Sequence, residues 1–162
     1  MVISALVWRT GRANPSRPPG FAFFTTAAAG RVWRALTDPT QTREYLYGLA
    51  LTSDWIPGSP IVASFQDRPA LLGEVLCAQP HHRLSYLLRT PEAPPVYVTW
   101  LVREAAGGSI CSLQIDEPDA SEPTEIEDIW LPVLAALQRV LTPDERSLPG
   151  PERSPATEHE SP

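Results

Sequence analysis

With 162 residues, 43% of them hydrophobic, and a formal net charge of −6, the chain is long enough for one sizeable core and too short for two. All 13 basic side chains are arginine and they form no clustered stripe, which excludes a face built to neutralise nucleic-acid phosphates. No apolar run approaches the roughly 20 residues of a bilayer crossing, and the apolar start Met1 to Trp8 has no basic region ahead of it, so neither membrane insertion nor a secretory leader is read and a cytoplasmic location is expected.

Residues 1–19 mix a short apolar stretch with Gly11, Asn14, Pro15, Pro18 and Pro19, the composition of a flexible extension with at most one marginal strand. Phe21 to Thr26 is aromatic and β-branched, hence a strand, and Ala27 to Leu36 carries helix formers. Asp38-Pro39 stops that helix, and Thr40 is placed to cap a second short one near Gln41 to Leu46. Beyond Gly48 the hydrophobic period changes to two. Leu49 to Asp54 and Ile61 to Phe65 form a hairpin about Pro57-Gly58, and four more strands are expected at Leu71 to Ala78, Arg83 to Arg89, Val96 to Glu104 and Ile110 to Asp116. Six strands after a helix pair, with turn-like separators and no long crossovers, predict an antiparallel sheet.

The last element has the strongest pattern. Ile126, Ile129, Trp130, Val133, Leu134, Leu137, Val140 and Leu141 recur at helical spacing and turn one wide apolar stripe inward. Pro132 removes a backbone donor, so the helix either starts near Ile129 or bends there. Residues 143–162 are acidic and rich in proline, without periodicity, and read as a disordered tail; the domain proper is 20–142.

Five segments carry a family pattern. Val32-Trp33-Arg34-Ala35-Leu36-Thr37-Asp38-Pro39, Trp55-Ile56-Pro57-Gly58-Ser59-Pro60, Gly73-Glu74-Val75-Leu76 through Pro80 with Arg83-Leu84-Ser85-Tyr86, Val98-Thr99-Trp100, and Trp130-Leu131-Pro132-Val133-Leu134 together resemble the bacterial proteins similar to the activator of heat-shock protein 90 ATPase. The match spans about residues 21–142. The chain departs from the pattern at Ile129, where glycine is usual, at Cys77, where an acid is common, and in a short loop from Gln66 to Pro69. The resemblance implies an α+β helix-grip fold of the START-like (SRPBCC) superfamily. In it a curved antiparallel sheet of about seven strands, ordered 1-7-6-5-4-3-2, wraps a long C-terminal helix, with two short helices between the first two strands. That order sets Cys77 and Cys111 three ladder steps, or about 14 Å, apart, so no disulfide is expected between them.

A helix-grip interior that is not filled is a ligand pocket. The aromatics best suited to line one are Tyr45, Tyr47, Trp55, Phe65, Tyr86, Tyr97, Trp100 and Trp130, with Leu134 beside them, since tyrosine and tryptophan join an apolar body to a hydrogen-bonding tip; ordinary core packing is the competing reading for each. Val96, Val98, Trp100 and Val102 share one face of their strand, opposite Tyr97, Thr99, Leu101 and Arg103. The second face is apolar enough to be covered by the N-terminal extension or by a partner subunit in a homodimer. His81-His82 sits in a turn after Pro80 and lacks further ligands at metal spacing, His159 lies in the tail, and no nucleophile, histidine and acid fall into a catalytic set. No metal or cofactor is expected.

The function read first is noncatalytic: a carrier or sensor of a small hydrophobic or aromatic ligand. A polyketide cyclase/dehydratase-like enzyme is the alternative, needing an inward ionisable group such as Tyr45, Tyr86 or Tyr97. A co-chaperone-like interaction module with a chaperone partner comes third, because the eukaryotic co-chaperones carry a separate N-terminal domain and residues 1–20 cannot supply it.

Overall fold

The computed structural model describes residues 7–9, 20–117 and 123–142, with side chains for 20–117 and 126–142. In chain order the elements are β1 (Val7–Arg9), β2 (Gly20–Thr25), α1 (Ala29–Thr37), α2 (Pro39–Tyr45), β3 (Leu49–Thr52), β4 (Pro60–Phe65), β5 (Arg68–Gln79), β6 (Arg83–Arg89), β7 (Val96–Ala105), β8 (Gly108–Asp116) and α3 (Pro123–Leu141). All eight strands join one antiparallel sheet in the order β1-β2-β8-β7-β6-β5-β4-β3. From β2 onward this is the order that the resemblance implies; β1 is the marginal strand of the N-terminal stretch, added along the edge of β2. The expected disordered tail lies outside the described residues, as does most of the N-terminal extension.

Strand alternation puts the core on one face of the sheet. Phe21 and Phe23 on β2, Leu84, Tyr86 and Leu88 on β6, Val98, Trp100 and Val102 on β7, and Cys111, Leu113 and Ile115 on β8 are buried together. They meet Ile126, Trp130, Val133, Leu134, Leu137 and Leu141 of α3. These are the inward positions of the predicted stripe, except that Ile129 is 46% exposed and Val140 is only half buried. The regular helix does not begin near Ile129: α3 runs from Pro123 through Pro132 to Leu141, and the proline sits on the exposed side.

Two local details differ from the expectation. Asp38, rather than Thr40, caps α2: its carboxylate accepts the Thr40 N–H at 2.8 Å, with Pro39 in the first helical position. The Thr40 hydroxyl, then its N–H, holds the Asp38 carboxyl below its ordinary range. β5 also begins three residues earlier than its hydrophobic run, because Arg68 and Pro69 continue the ladder with β4 past a register shift at Ala63/Ser64.

A second irregularity on β5, between Val75 and Cys77, decides where that thiol points. Val75 pairs with inward Tyr86, whereas Cys77 pairs with Ser85 on the other face. Cys77 and Cys111 are both free and stand on opposite sides of the sheet, three strands apart. The convex face carries Leu72, Tyr97 and Phe24 partly exposed.

Candidate functional site

The interior divides into a filled half and a hollow half. In the filled half the large aromatics interlock. The Tyr45 ring stands edge-on to Trp100 with centroids 6.3 Å apart, and Trp55 stands edge-on to Tyr86 at 6.2 Å, the geometry that aromatic quadrupoles favour. Their polar tips are paired inside the protein. Tyr45 Oη donates to the Ala35 carbonyl at 2.8 Å, Trp100 Nε1 donates to Tyr86 Oη at 3.1 Å, and Trp55 Nε1 donates to the Thr37 carbonyl at 3.0 Å. Burial disfavours the charged form of each titratable group here and raises its pKa: Tyr45 is pushed well up, and Tyr86 and the Cys111 thiol are each pushed up to about 12. These groups stay protonated and wedge the sheet against α1, α2 and α3.

The hollow half lies toward the β6–β7 hairpin. There the inward residues are aliphatic, and a cavity of about 240 Å³ remains between Leu49, Leu71, Leu88 and Val96 of the sheet and Ile129, Trp130 and Val133 of α3. Leu46 and Tyr47 close it from the α2–β3 turn, and Arg89, Thr90, Ala93, Pro94 and Glu117 complete its rim. A depression of about 330 Å³ along Pro69 to Leu72 and Arg89 to Pro91 shares Leu71, Arg89 and Thr90 with it.

The α2–β3 turn shows how local sequence builds this wall. Tyr47 and Gly48 both take the left-handed conformation, at φ 53° and 82°, which places the tyrosine outside the helix it follows. Glycine is required at 48 for a second reason, because a Cβ there would lie 2.9 Å from the Phe65 ring. Phe65, 46% exposed, thereby lies against the turn at Gly48. The Tyr47 hydroxyl donates to the Ile129 carbonyl, tying the turn to α3.

Of the residues singled out from sequence, Tyr47 and Trp130 border the cavity. Tyr45, Tyr86, Trp100 and Leu134 are fully or nearly fully buried in the filled half, Trp55 is half buried against Tyr86, Phe65 supports the turn, and Tyr97 lies on the convex face. Sequence reasoning did not single out Leu46, Leu49, Leu71, Leu88, Val96 and Val133 as wall residues. The signal was there in the alternation that puts Leu88 with Tyr86 and Val96 with Trp100, and in the helical stripe that contains Val133. Glu117 is half buried in the rim. His81 and His82 are exposed in their turn, the His81 ring standing edge-on to Trp33 at 6.5 Å. Among the described residues no three His, Cys, Asp or Glu side chains gather as a metal-holding group, and no helix is long and apolar enough to cross a membrane.

The same architecture occurs in solved structures. CalU16 from Micromonospora echinospora, in its solution structure, superposes with a TM-score of 0.66 at 20% identity, covering 98% of this chain and 89% of that one. A Cytophaga hutchinsonii protein, ChR145, matches at 26% identity with a TM-score of 0.62, over 75% of this chain and 91% of its own. DynU16, a protein of the dynemicin biosynthetic locus, gives 0.65 at 22% identity over 75% of this chain and 46% of its own. No curated protein matches. These structures share the helix-grip fold with this chain, and the family model for activator of Hsp90 ATPase homolog 1-like proteins matches residues 26–142, a span that holds both the helix pair and α3, so the chain belongs to that family.

Proposed function

We propose that the protein binds one small, largely apolar molecule in the hollow half of its interior, as a noncatalytic carrier or sensor. The observation that carries this reading is the aliphatic cavity of about 240 Å³ between α3 and the hairpin end of the sheet. The cavity opens to solvent past Tyr47 and Ile129, 59% and 46% exposed, and a concave, mostly apolar cleft with a few polar groups at its rim is the usual form of a small-molecule site. Its volume also limits the occupant. A cavity of about 150 Å³ accommodates benzene, so at the same filling this one takes about ten heavy atoms, a fused two-ring aromatic or an acyl chain of about ten carbons; a longer lipid would run out past Arg89 and Thr90 along the neighbouring depression. DynU16 belongs to a biosynthetic locus, which supports a small organic product or intermediate as the kind of molecule bound. A cyclase-like reaction would need an ionisable group against the substrate; Tyr45 and Tyr86 do not border the cavity and Tyr97 is on the other side of the sheet, while Tyr47 and Glu117 do border it, so the cyclase-like enzyme is kept as the alternative reading.

The test is thermal unfolding and native mass spectrometry of the full chain with naphthalene, decanoic acid and a phosphatidylcholine. Ligand at one hundred times its Kd stabilises the folded state by about 2.7 kcal/mol, so naphthalene or decanoic acid is expected to raise Tm by several degrees and the phospholipid to give the smallest shift. Absence of any shift with both small compounds would overturn the proposal.

A further inference from the structure

The convex face of the sheet is sorted by charge. Alternation along β5 to β8 turns Glu74, Leu87, Tyr97 and Asp116 outward in one cross-strand row, close to the β6–β7 hairpin. Arg83 and Leu101 share an outward row two steps further along the strands, and Arg103 and Ile110 share the next, beside Phe24. Acids thus stand at one end of this patch and arginines at the other; Arg89, one row beyond Glu74, belongs to the cavity rim. Among the described residues the side chains of Glu74, Asp116 and Arg103 have no ion pair or hydrogen bond, and Arg83 reaches only the Ser85 hydroxyl, at 3.5 Å. The three helices all contribute to the buried core on the concave side, whereas none of these convex residues does. Phe24 and Tyr97 are more than a third exposed, and Leu87, Leu101 and Ile110 are half buried. The described N-terminal strand leaves the face open, since β1 pairs edgewise with β2.

We propose that this face binds a second copy of the chain in a two-fold dimer. A two-fold axis lying between the two faces and running across the strands, level with Thr99 and Leu101, opposes the strand directions of the copies, so the acidic end of each patch meets the arginine end of the other. Arg103 of each copy then lies over the Tyr97–Asp116 pair of its partner, where ring and carboxylate both attract a guanidinium. Glu74 is turned toward Arg83 in the same way, and the apolar centres meet between them. A partner surface of a single sign would leave one end of the patch against its own charge, whereas a second copy complements both ends. The size of the face sets the strength of the contact. Five strands about 4.8 Å apart and eight residues of about 3.4 Å cover roughly 650 Å², below the about 800 Å² per partner of a standard interface, so the dimer is a weak one with a Kd of about 10–100 μM.

Sedimentation of the full-length protein over about 2 to 500 μM, a range that brackets the expected Kd, tests the proposal. The mass is expected to rise with concentration from 17.8 kDa toward twice that value, and the association should weaken severalfold as salt is raised. Arg103→Glu and Asp116→Arg each set like charges against one another across the axis and should each weaken self-association about tenfold or more. An equimolar mixture of the two variants should associate again, because every like-charged contact then becomes an opposite one. Arg83→Glu mixed with Glu74→Arg repeats the test at the second pair, should one of the first variants fold poorly. A wild-type chain that stays monomeric throughout, as it would if residues of the N-terminal stretch or a different protein covered this face, overturns the proposal. So does a dimer that survives the charge reversals, or a mixture of folded variants that remains monomeric.

Discussion

Gly48 illustrates how one residue without a side chain positions one with a function. Its left-handed backbone and the Phe65 ring lying over it both exclude a Cβ. Gly48→Ala is therefore expected to cost about 1–3 kcal/mol, read as a lower urea midpoint at unchanged m, and Phe65→Leu in the same chain should recover part of that loss. Tyr86 gives the opposite kind of prediction, one confined to stability. Tyr86→Phe leaves Trp100 Nε1 buried without an acceptor, which should destabilise the fold by about 1–3 kcal/mol and leave the affinity for naphthalene within about twofold of wild type. At this scale the sequence was legible where a residue type has a single use. Tyr47 and Trp130 were marked by their amphipathic rings, but so were Tyr45, Tyr86 and Trp100, whose rings fill the volume that they were read as lining. Bulk is the physical reason: large rings consume space, so the hollow appears where leucine and valine face inward, and those residues look like ordinary core in a sequence.

Among the elements, α3 was the most legible, because a stripe at helical spacing has one folded interpretation next to a half-apolar sheet. What its pattern could not reveal is that two neighbouring positions serve different halves of the interior. Val133 borders the cavity, while Leu134 is completely buried in the packed half. Val133→Phe should fill the hollow, holding or raising Tm by a gain of up to about 2 kcal/mol and abolishing the ligand-induced shift seen with naphthalene. Leu134→Ala should cost about 2–5 kcal/mol while the shift persists in whatever fraction remains folded. Both are read in one thermal-shift series, and a reversal of the two outcomes would mean that the cavity lies on the other side of the helix. Pro132 separates what a propensity argument can and cannot do. Its missing donor was foreseen, but that it faces outward follows only from the tertiary arrangement.

For the molecule as a whole, the buried ionisable groups set a direction for its response to alkali. Burial pushes Cys111 from 9.0, and Tyr86 from 10.0, up to about 12, and Tyr45 well up also. In the unfolded chain they release protons first, so between about pH 9 and 12 the folded state binds more protons and stability falls as pH rises, by up to about 1.4 kcal/mol per pH unit for each group. Below pH 9 this contribution is fully present. Urea midpoints measured from pH 7 to 11 should be flat and then decline, and in Cys111→Ala the decline should begin about one pH unit later. The global topology was readable because motif segments occur in a fixed order, and that order carries the strand sequence that hydrophobic alternation alone leaves open. The irregularity at Val75/Cys77 was not readable, since an extra residue in a ladder changes no composition. Its effect is practical. By rotating a single sulfur onto the convex surface while the second remains locked among Val102 and Phe23, it equips the protein with one chemically addressable handle, where a fluorophore could report on occupancy from outside without disturbing the chamber it monitors.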